Sequence, residues 1–340
     1  MATFPSRSSS SGPTIRDVAA RANVSTSTAS RVLSGANNVS ESARRAVLTA
    51  SKQLGYRPNP NARAMRGAGS SCVGMIVPEI GNPFFAELIQ AVELALQAHD
   101  VELIIADARN DVATEAARLR SLVARQVDGV LIAPVSATAS RAALESALRT
   151  TPIVQIDRDV DFFEADFVGV DNSAGIRSVL SHLESRSVRH IVFVSGDAST
   201  STGAARLEAF RTQAPRFPDL VVDEPVLGEF TLDFGFQAAG TLLRRPRLPQ
   251  GVVCGSDLIA TGLMRALAQH GVHEPDDIVV TGFDGTQLSE LINPAMTTVR
   301  QPLAEIAKVA AHRLQARIGG DSGPPQRSQV NPQLVARSLR

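Results

Sequence analysis

Cysteine is nearly missing from this chain: its 340 residues hold two, Cys72 and Cys254. Two so far apart form neither a CxxC pair nor a thiolate metal site. They read as buried apolar residues of a reducing compartment, a disulfide being the lesser alternative. Long apolar runs are missing as well. No stretch of roughly 18 uninterrupted apolar residues occurs, which argues against a membrane-spanning helix. The opening MATFPSRSSSSG lacks the apolar centre of a secretory signal. There is no P-loop, and the glycines of GAGSSCVG precede an apolar run, where a dinucleotide fingerprint would follow one and open a helix. His270, His273 and Asp276 crowd into a short polar stretch that reads as a surface loop before it reads as a metal site. None of the six histidines falls in a strand-end motif, so these spacings support no Ser–His–Asp constellation. No cofactor, metal or catalytic residue is expected, and the chain is expected in the cytoplasm. Lysine is scarce too: Lys52 and Lys308 stand among 34 cations. Arginine suits phosphate and carboxylate forks, although genomic base composition explains the bias more simply.

What is present is an uneven charge. Residues 1–66 hold ten cations and two anions, a net +8, leaving 24 cations and 32 anions, a net −8, in the rest. A small basic unit joined to a larger acidic one points to a polyanion partner for the first part alone. On charge by itself, a solvated basic face is an equal reading. The length suggests two or three units, and 44% hydrophobic residues supply real cores.

Residues 1–13 are Ser-rich with Gly12-Pro13 and read as a disordered tail. Thr14 then stands as an N-cap with Asp17 three residues on, followed by Ile15, Val18, Ala19 and Ala22 at helical spacing. Asn23-Val24 interrupts the pattern. Ser25 caps a second helix ending near Leu33, and Ser40 opens a third, with Ala43, Val47, Ala50 and Leu54 on one face and Gly55 as its stop. The second helix, within VSTSTASRVLSG (24–35), is rich in Ser and Thr, which are indifferent helix formers. Their use follows if the helix enters a groove. Val24, Ala29, Val32 and Leu33 face the bundle, leaving Thr26, Ser27, Ser30 and Arg31 outward. Small hydroxyl residues let a helix sink close to base edges, and arginine can bond guanine O6 and N7 together. A helix, a tight turn and a second helix match the helix-turn-helix pattern. The bland alternative is a bundle with a hydroxyl-rich face, and turn, spacing and charge together favour DNA over it.

The run TIRDVAARANVSTSTASRVLSGANNVSESARRAVLTASKQLGYRPNPNARAMR resembles, along its length, the DNA-binding headpiece of the LacI family of bacterial transcriptional regulators. The resemblance implies that Thr26, Ser27 and Arg31 meet bases. Thr14, Ser25, Thr28, Ser30, Asn38, Tyr56, Asn59 and Arg63 complete the implied DNA contacts. Tyr56, the single tyrosine, either reaches a phosphate or packs in its loop. The stretch after Tyr56 is implied to fold into a hinge helix that pairs with its dimer mate in the minor groove. Met65 stands there in place of the family's wedging leucine, and methionine can also wedge between base steps.

From Cys72 onward, short apolar runs (VGMIVP, VELIIAD, GVLIAP, PIVQID, FVGVD, HIVFVSG, GVVCG, DIVVTGFD) alternate with amphipathic helical stretches. Strands apolar throughout and separated by helices predict parallel sheets covered on both faces, here in two α/β lobes. Ligands bind such sheets beyond the carboxyl ends of the strands. Those ends carry Asn82, Phe84, Phe85, Asp157, Arg158, Thr202, Arg206, Phe230, Ser256, Asp257, Asp284 and Gln301. Aromatic rings, planar charged groups and amides are what hold the apolar faces and hydroxyl rim of a sugar. Each motif has a plainer reading: NPFF as a helix start with buried rings, Asp157-Arg158 as a surface pair, GFDG as a turn.

This region is similar to the family's effector-binding core and to periplasmic sugar-binding proteins. NPFF, Asp157-Arg158, Ala204-Ala205-Arg206, Phe283-Asp284-Gly285-Thr286 and Gln301 match the ribose-binding branch, while Ser256 replaces a usual asparagine. The implied effector site is Asn82, Phe84, Phe85, Asp157, Arg158, Thr202, Arg206, Phe230, Ser256, Asp284 and Gln301. The implied fold is a small all-α helix-turn-helix headpiece (14–58), a hinge helix and linker (59–70) and a periplasmic-binding-protein-like core (71–340) of two doubly wound parallel-sheet lobes. One lobe is expected over about 71–160 and 290–320, the other over about 161–289 and 321–340. The implied function is a homodimeric regulator, a repressor of sugar utilisation, with operator DNA and a pentose such as ribose as partners. No leucine heptads follow Arg317, so a dimer is expected and not a tail-assembled tetramer. A purine-responsive regulator, a sugar-acting enzyme and an exported solute-binding protein are the alternatives. The basic headpiece opposes the last.

Overall fold

The computed structural model describes residues 13–33, 38–56 and 71–337. The chain divides into two compact units, 1–70 and 71–340. In the first, α1 (Ile15–Arg21), α2 (Thr26–Leu33) and α3 (Glu41–Leu54) are set by local chemistry. Thr14 and Asp17 form a reciprocal capping box. The Ser25 hydroxyl accepts the Thr28 N–H at 3.1 Å, and the Ser40 hydroxyl accepts the Ala43 N–H at 3.3 Å. Each such cap contributes about 1 kcal/mol. Asn23, at φ +52°, makes the turn, and Gly55, at φ +63°, ends α3. Val18, Ala19, Ala29, Val32, Val47 and Ala50 are the buried core, with Ile15, Leu33, Leu54 and Tyr56 packed around it. For so thin a core the caps matter.

In the second unit, β1 (Cys72–Val77), α4 (Pro83–Gln97), β2 (Glu102–Asp107), α5 (Val112–Ala124), β3 (Gly129–Ile132), α6 (Arg141–Leu148), β4 (Ile153–Ile156) and β5 (Asp166–Val170) lead off one lobe. The other lobe contains α7 (Asn172–Ser185), β6 (His190–Gly196), α8 (Ser201–Gln213), β7 (Val221–Val222), β8 (Val226–Gly228), α9 (Leu232–Leu243), β9 (Gly251–Cys254), α10 (Asp257–Gln269), β10 (Val279–Asp284), α11 (Leu288–Leu291) and β11 (Thr297–Arg300). The chain then returns through α12 (Leu303–Ile318) and β12 (Arg327–Val330) and crosses once more to β13 (Gln333–Val335).

The first sheet has the order β12-β5-β4-β3-β1-β2 with every pairing parallel. The second has the order β13-β11-β10-β9-β6-β7, with β8 also on β6 and β13 alone antiparallel. Strands such as β3, β4 and β9 are buried along their whole length, as doubly covered parallel strands must be.

Strand pairing places the lobe boundaries differently from the expectation. Asp166–Val170 pairs with β4 and Arg327–Val330 with β5, so both belong to the first lobe. Thr297–Arg300 pairs with β10 and belongs to the second. Three crossings thus link the lobes, so neither can rotate far without bending all three. Among the described residues no helix is long and apolar enough to cross a membrane.

Candidate functional site

On α2, Thr26, Ser27 and Arg31 are exposed while Ala29 and Val32 are buried, so the hydroxyl-and-arginine face does point away from the bundle. Thr28 and Ser30 are half-buried. The Ser25 hydroxyl lies 2.8 Å from both the Ser27 and Thr28 hydroxyls, which ties the start of the helix together. Thr14 gives its N–H and its hydroxyl to Asp17, each at 2.7 Å. Asn38 is exposed. Tyr56 packs on the headpiece core, and its carbonyl accepts the Ser51 hydroxyl at 3.1 Å. Asn59, Arg63 and Met65 lie outside the described residues.

In the second unit the strand ends converge on one small cavity. Asn82, Phe84, Phe85, Asp157 and Arg158 line it from the first lobe, and Thr202, Arg206, Phe230, Ser256 and Asp284 from the second. The plainer reading of Asp157-Arg158 as a surface pair does not hold, whereas NPFF is the helix start with buried rings of its plainer reading and lines the cavity as well. Phe84 and Phe85 are buried in the core beside the cavity, edge-on to each other at 5.1 Å, and Asp157-Arg158 is not at the surface. Gln301 does not line the cavity. It stands behind Asp284 and donates Nε2 to Oδ1 at 2.9 Å.

Local structure explains each placement. Asn82 caps α4, its Oδ1 accepting the Phe84 N–H at 3.1 Å, which leaves its NH2 group as a donor. Ser256 caps α10 through the Ile259 N–H at 3.2 Å. Asp157, just past β4, and Asp284, the last residue of β10, have φ of +62° and +114°, a strained backbone for residues with a Cβ. Such strain is found where a side chain must be aimed. Gly196 ends β6 because a Cβ there would run into the Phe230 ring.

Four charged groups form the polar floor, and they are 93% or more buried: Asp157, Arg158, Arg206 and Asp284. Arg206 is fully braced. It lies 3.3 Å from Asp284 and donates to Asn172 Oδ1 at 2.9 Å and to the Gly255 carbonyl at 2.5 Å. Its guanidinium stacks 3.9 Å from the Phe283 ring. Arg158 is not braced. Its Nε is 4.0 Å from Asp157, and that nitrogen and Asp157 Oδ1 are both buried without a hydrogen-bond partner. Phe85 and Phe230 flank its guanidinium at 5.4 and 5.8 Å. Unpaired buried polar atoms cost free energy unless a ligand satisfies them.

Burial pushes the Asp157 carboxyl up against the pull of Arg206 and Arg158. It pushes Asp284 up to about 8 against Arg206. Two carboxyls held toward their neutral forms and two guanidiniums therefore offer both donors and acceptors, a set that suits a ligand with hydroxyls to give and receive.

Two supporting residues escaped the sequence reading or were undervalued by it. Asn172 stands two residues past the end of β5, so the strand-end rule that found the others could have found it. Asp257 does not face the ligand space. Its carboxylate accepts the Thr286 N–H and hydroxyl at 2.7 and 2.9 Å and the Thr298 hydroxyl, pinning the loop that carries Asp284.

Comparison with known proteins agrees with both halves. A family model described as bacterial regulatory proteins, lacI family, matches residues 14–59. A periplasmic binding protein-like domain matches residues 180–338. The HTH-type transcriptional regulator DegA of Bacillus subtilis is 31% identical over 95% of this chain and 97% of its own. The chain belongs to the LacI family. This LacI-family protein is therefore a DNA-binding transcriptional regulator and not an enzyme. The ribose operon repressor of Halalkalibacterium halodurans is 31% identical over 95% of this chain and 96% of its own. The repressor PurR of Escherichia coli is 32% identical over 95% of this chain and 96% of its own. Among solved structures, the lac repressor dimer bound to operator superimposes with a TM-score of 0.86 at 24% identity, covering 96% of this chain and 98% of that one. A transcriptional regulator CelR–cellobiose complex gives 0.72 at 31% identity, covering 96% and 99%.

Proposed function

We propose that this LacI-family regulator is a cytoplasmic homodimeric repressor, released from a palindromic operator by a small neutral sugar, with ribose or another pentose first. The observation that carries the effector is the floor of the cavity: two guanidiniums beside two carboxyls, with Arg158 Nε and Asp157 Oδ1 left unpaired. Each planar group can take two adjacent hydroxyls while the rings of Phe84, Phe85 and Phe230 cover the apolar faces. Thr26, Ser27 and Arg31 are the proposed base contacts, with Thr14, Ser25, Thr28, Ser30, Asn38, Tyr56, Asn59, Arg63 and Met65 supporting them on phosphates and in the minor groove. Two-fold symmetry calls for half-sites read by paired recognition helices.

The switch is linkage. Sugar draws the two lobes together, and the closed form disfavours the pairing of hinge segments that DNA requires. Operator then weakens sugar binding by the same factor. A purine effector is supported by the 32% identity with PurR, but the charge-paired floor fits vicinal hydroxyls better than a flat base. A thermal-shift screen of monosaccharides against purines decides between them, because a ligand at 100 times its Kd stabilises by about 2.7 kcal/mol. A purine hit, with every sugar silent, overturns the sugar. Failure to bind any duplex in low salt, with and without each metabolite, overturns the regulator.

A further inference from the structure

The face of the first sheet covered by α5 and α6 is an apolar layer of Leu119, Leu122, Val130, Ile132, Leu144 and Ile153. Two long polar side chains interrupt it, Glu115 of α5 and Gln155 of β4, and both are fully buried. Each holds one of the loops that leave the carboxyl ends of the strands. Glu115 Oε2 accepts the Val135 N–H at 2.7 Å in the loop after β3. Gln155 Oε1 accepts the Val160 N–H at 2.8 Å in the loop that carries Asp157-Arg158. The two loops are joined by the Asp161 N–H on the Ala137 carbonyl at 2.8 Å. The far atoms, Glu115 Oε1 and Gln155 Nε2, are buried without a hydrogen-bond partner.

Tying a loop does not by itself explain a glutamate. Glutamine would accept the Val135 N–H equally well without burying an ionisable group, which is costly unless a charge answers it. Arg158 is that charge. Burial raises the Glu115 carboxyl, while the Ser140 hydroxyl, the Val135 N–H and the Arg158 guanidinium pull it back down. Arg158 in turn is short of counterions. Asp284 braces Arg206 at 3.3 Å, and Asp157, 4.0 Å from Arg158, feels Arg206 the more strongly of the two. Resting on the sugar reading of the cavity, we propose that Glu115 is a positioning residue, the buried counterion that sets the Arg158 guanidinium towards the ligand while holding the loop beside it. Glu115 does not line the cavity, so it acts on the ligand through Arg158.

The test is a double-mutant cycle on the full-length protein: wild type, Glu115→Gln, Arg158→Ala and the two combined. Each is melted without ligand, then titrated calorimetrically with ribose and with any other monosaccharide that raises its melting temperature. Glutamine keeps the Val135 bond, so Glu115→Gln should fold. With Arg158 present it should weaken sugar binding about tenfold and lower the melting temperature by a few degrees. With Arg158 replaced, the same change should cost neither, because the carboxylate it removes has already lost its counterion. The loss with Arg158 present should also shrink from about pH 8 to about pH 5, where the wild-type carboxyl takes up a proton and comes to resemble the amide. Asp157, Asp284 and Arg206, which act on Arg158, are common to both proteins and cancel. If Arg158→Ala does not fold, this pH dependence decides alone. Equal costs in both backgrounds, or a loss indifferent to pH, overturn the proposal and leave Glu115 a loop tie. Coupled melting temperatures with every sugar silent overturn the sugar reading and leave the positioning of Arg158 standing.

Discussion

The headpiece and the core do their recognition in opposite physical regimes. On α2 the working face is exposed, built of short hydroxyls and one arginine, within a segment of net charge +8. In the core the candidate groups are nearly fully buried, mixed in donors and acceptors, and fixed in advance by Asn172, Gln301 and the Asp257 network. The first kind of site takes affinity from a charged polymer through water and salt. The second, on the proposed function, takes it from a small molecule by satisfying groups that water no longer reaches.

Salt is the bluntest way to break that comparison. Between 50 and 200 mM salt, operator affinity should fall by roughly 10³–10⁵-fold if six to ten phosphates are contacted. Sugar affinity should stay within about twofold, because buried charges meeting a neutral ligand are little screened. Fluorescence anisotropy for DNA and calorimetry for sugar, at both salts, measure the two. Parallel losses would mean the sites are not different in kind.

Single arginines sharpen it. Arg158→Ala removes a guanidinium whose Nε is left for a ligand to satisfy, and each hydrogen bond from a charged group is worth about 1.5–3 kcal/mol. Effector affinity should drop by about two orders of magnitude or more, so that sugar no longer releases DNA that the variant still binds. An unaltered sugar response removes Arg158 from the site. Arg31→Ala should cost about 1–3 kcal/mol at the cognate operator and little on random duplex. An equal loss on both would make Arg31 a phosphate contact.

The same contrast explains what could be read in advance. Caps and helical spacing in the headpiece are decided within three or four residues, and Thr14, Ser25, Ser40 and Gly55 act as read. The buried strands announced themselves as apolar runs. Partnership did not. Nothing in Asp166–Val170 or Thr297–Arg300 says which sheet it joins, because that is settled by backbone pairing with residues far along the chain, such as the Asp157 N–H on the Val168 carbonyl at 2.9 Å. Hence the misplaced lobe boundaries. The site was legible where one rule, the carboxyl ends of parallel strands, named the residues. Gln301 was one step off and Asn172 was passed over, because both act on the cavity through a neighbour, Asp284 and Arg206.

The smallest effect tests the comparison at two carboxyls with opposite shifts. Asp17, exposed in the headpiece, is held below the usual range by the backbone N–H and then the hydroxyl of Thr14. Its contribution is present above the unfolded value near pH 4 and is lost as pH falls through its lower folded value. Asp284 is raised to about 8 because burial outweighs Arg206. Its contribution is complete below about pH 4 and is lost as pH rises through 8. Burial likewise raises Glu274 to about 7 and Asp257 to about 6. The ligand-free core should therefore melt at falling temperature from about pH 5 to 8. Asp284→Asn keeps the shape and removes the titration, so its melting curve should meet the wild type at pH 5 and lie a few degrees above it at pH 8. Thermal melts at half-unit pH steps measure this. Two parallel curves would mean that Asp284 is ionised throughout, and that Arg206 at 3.3 Å outweighs the cost of burial.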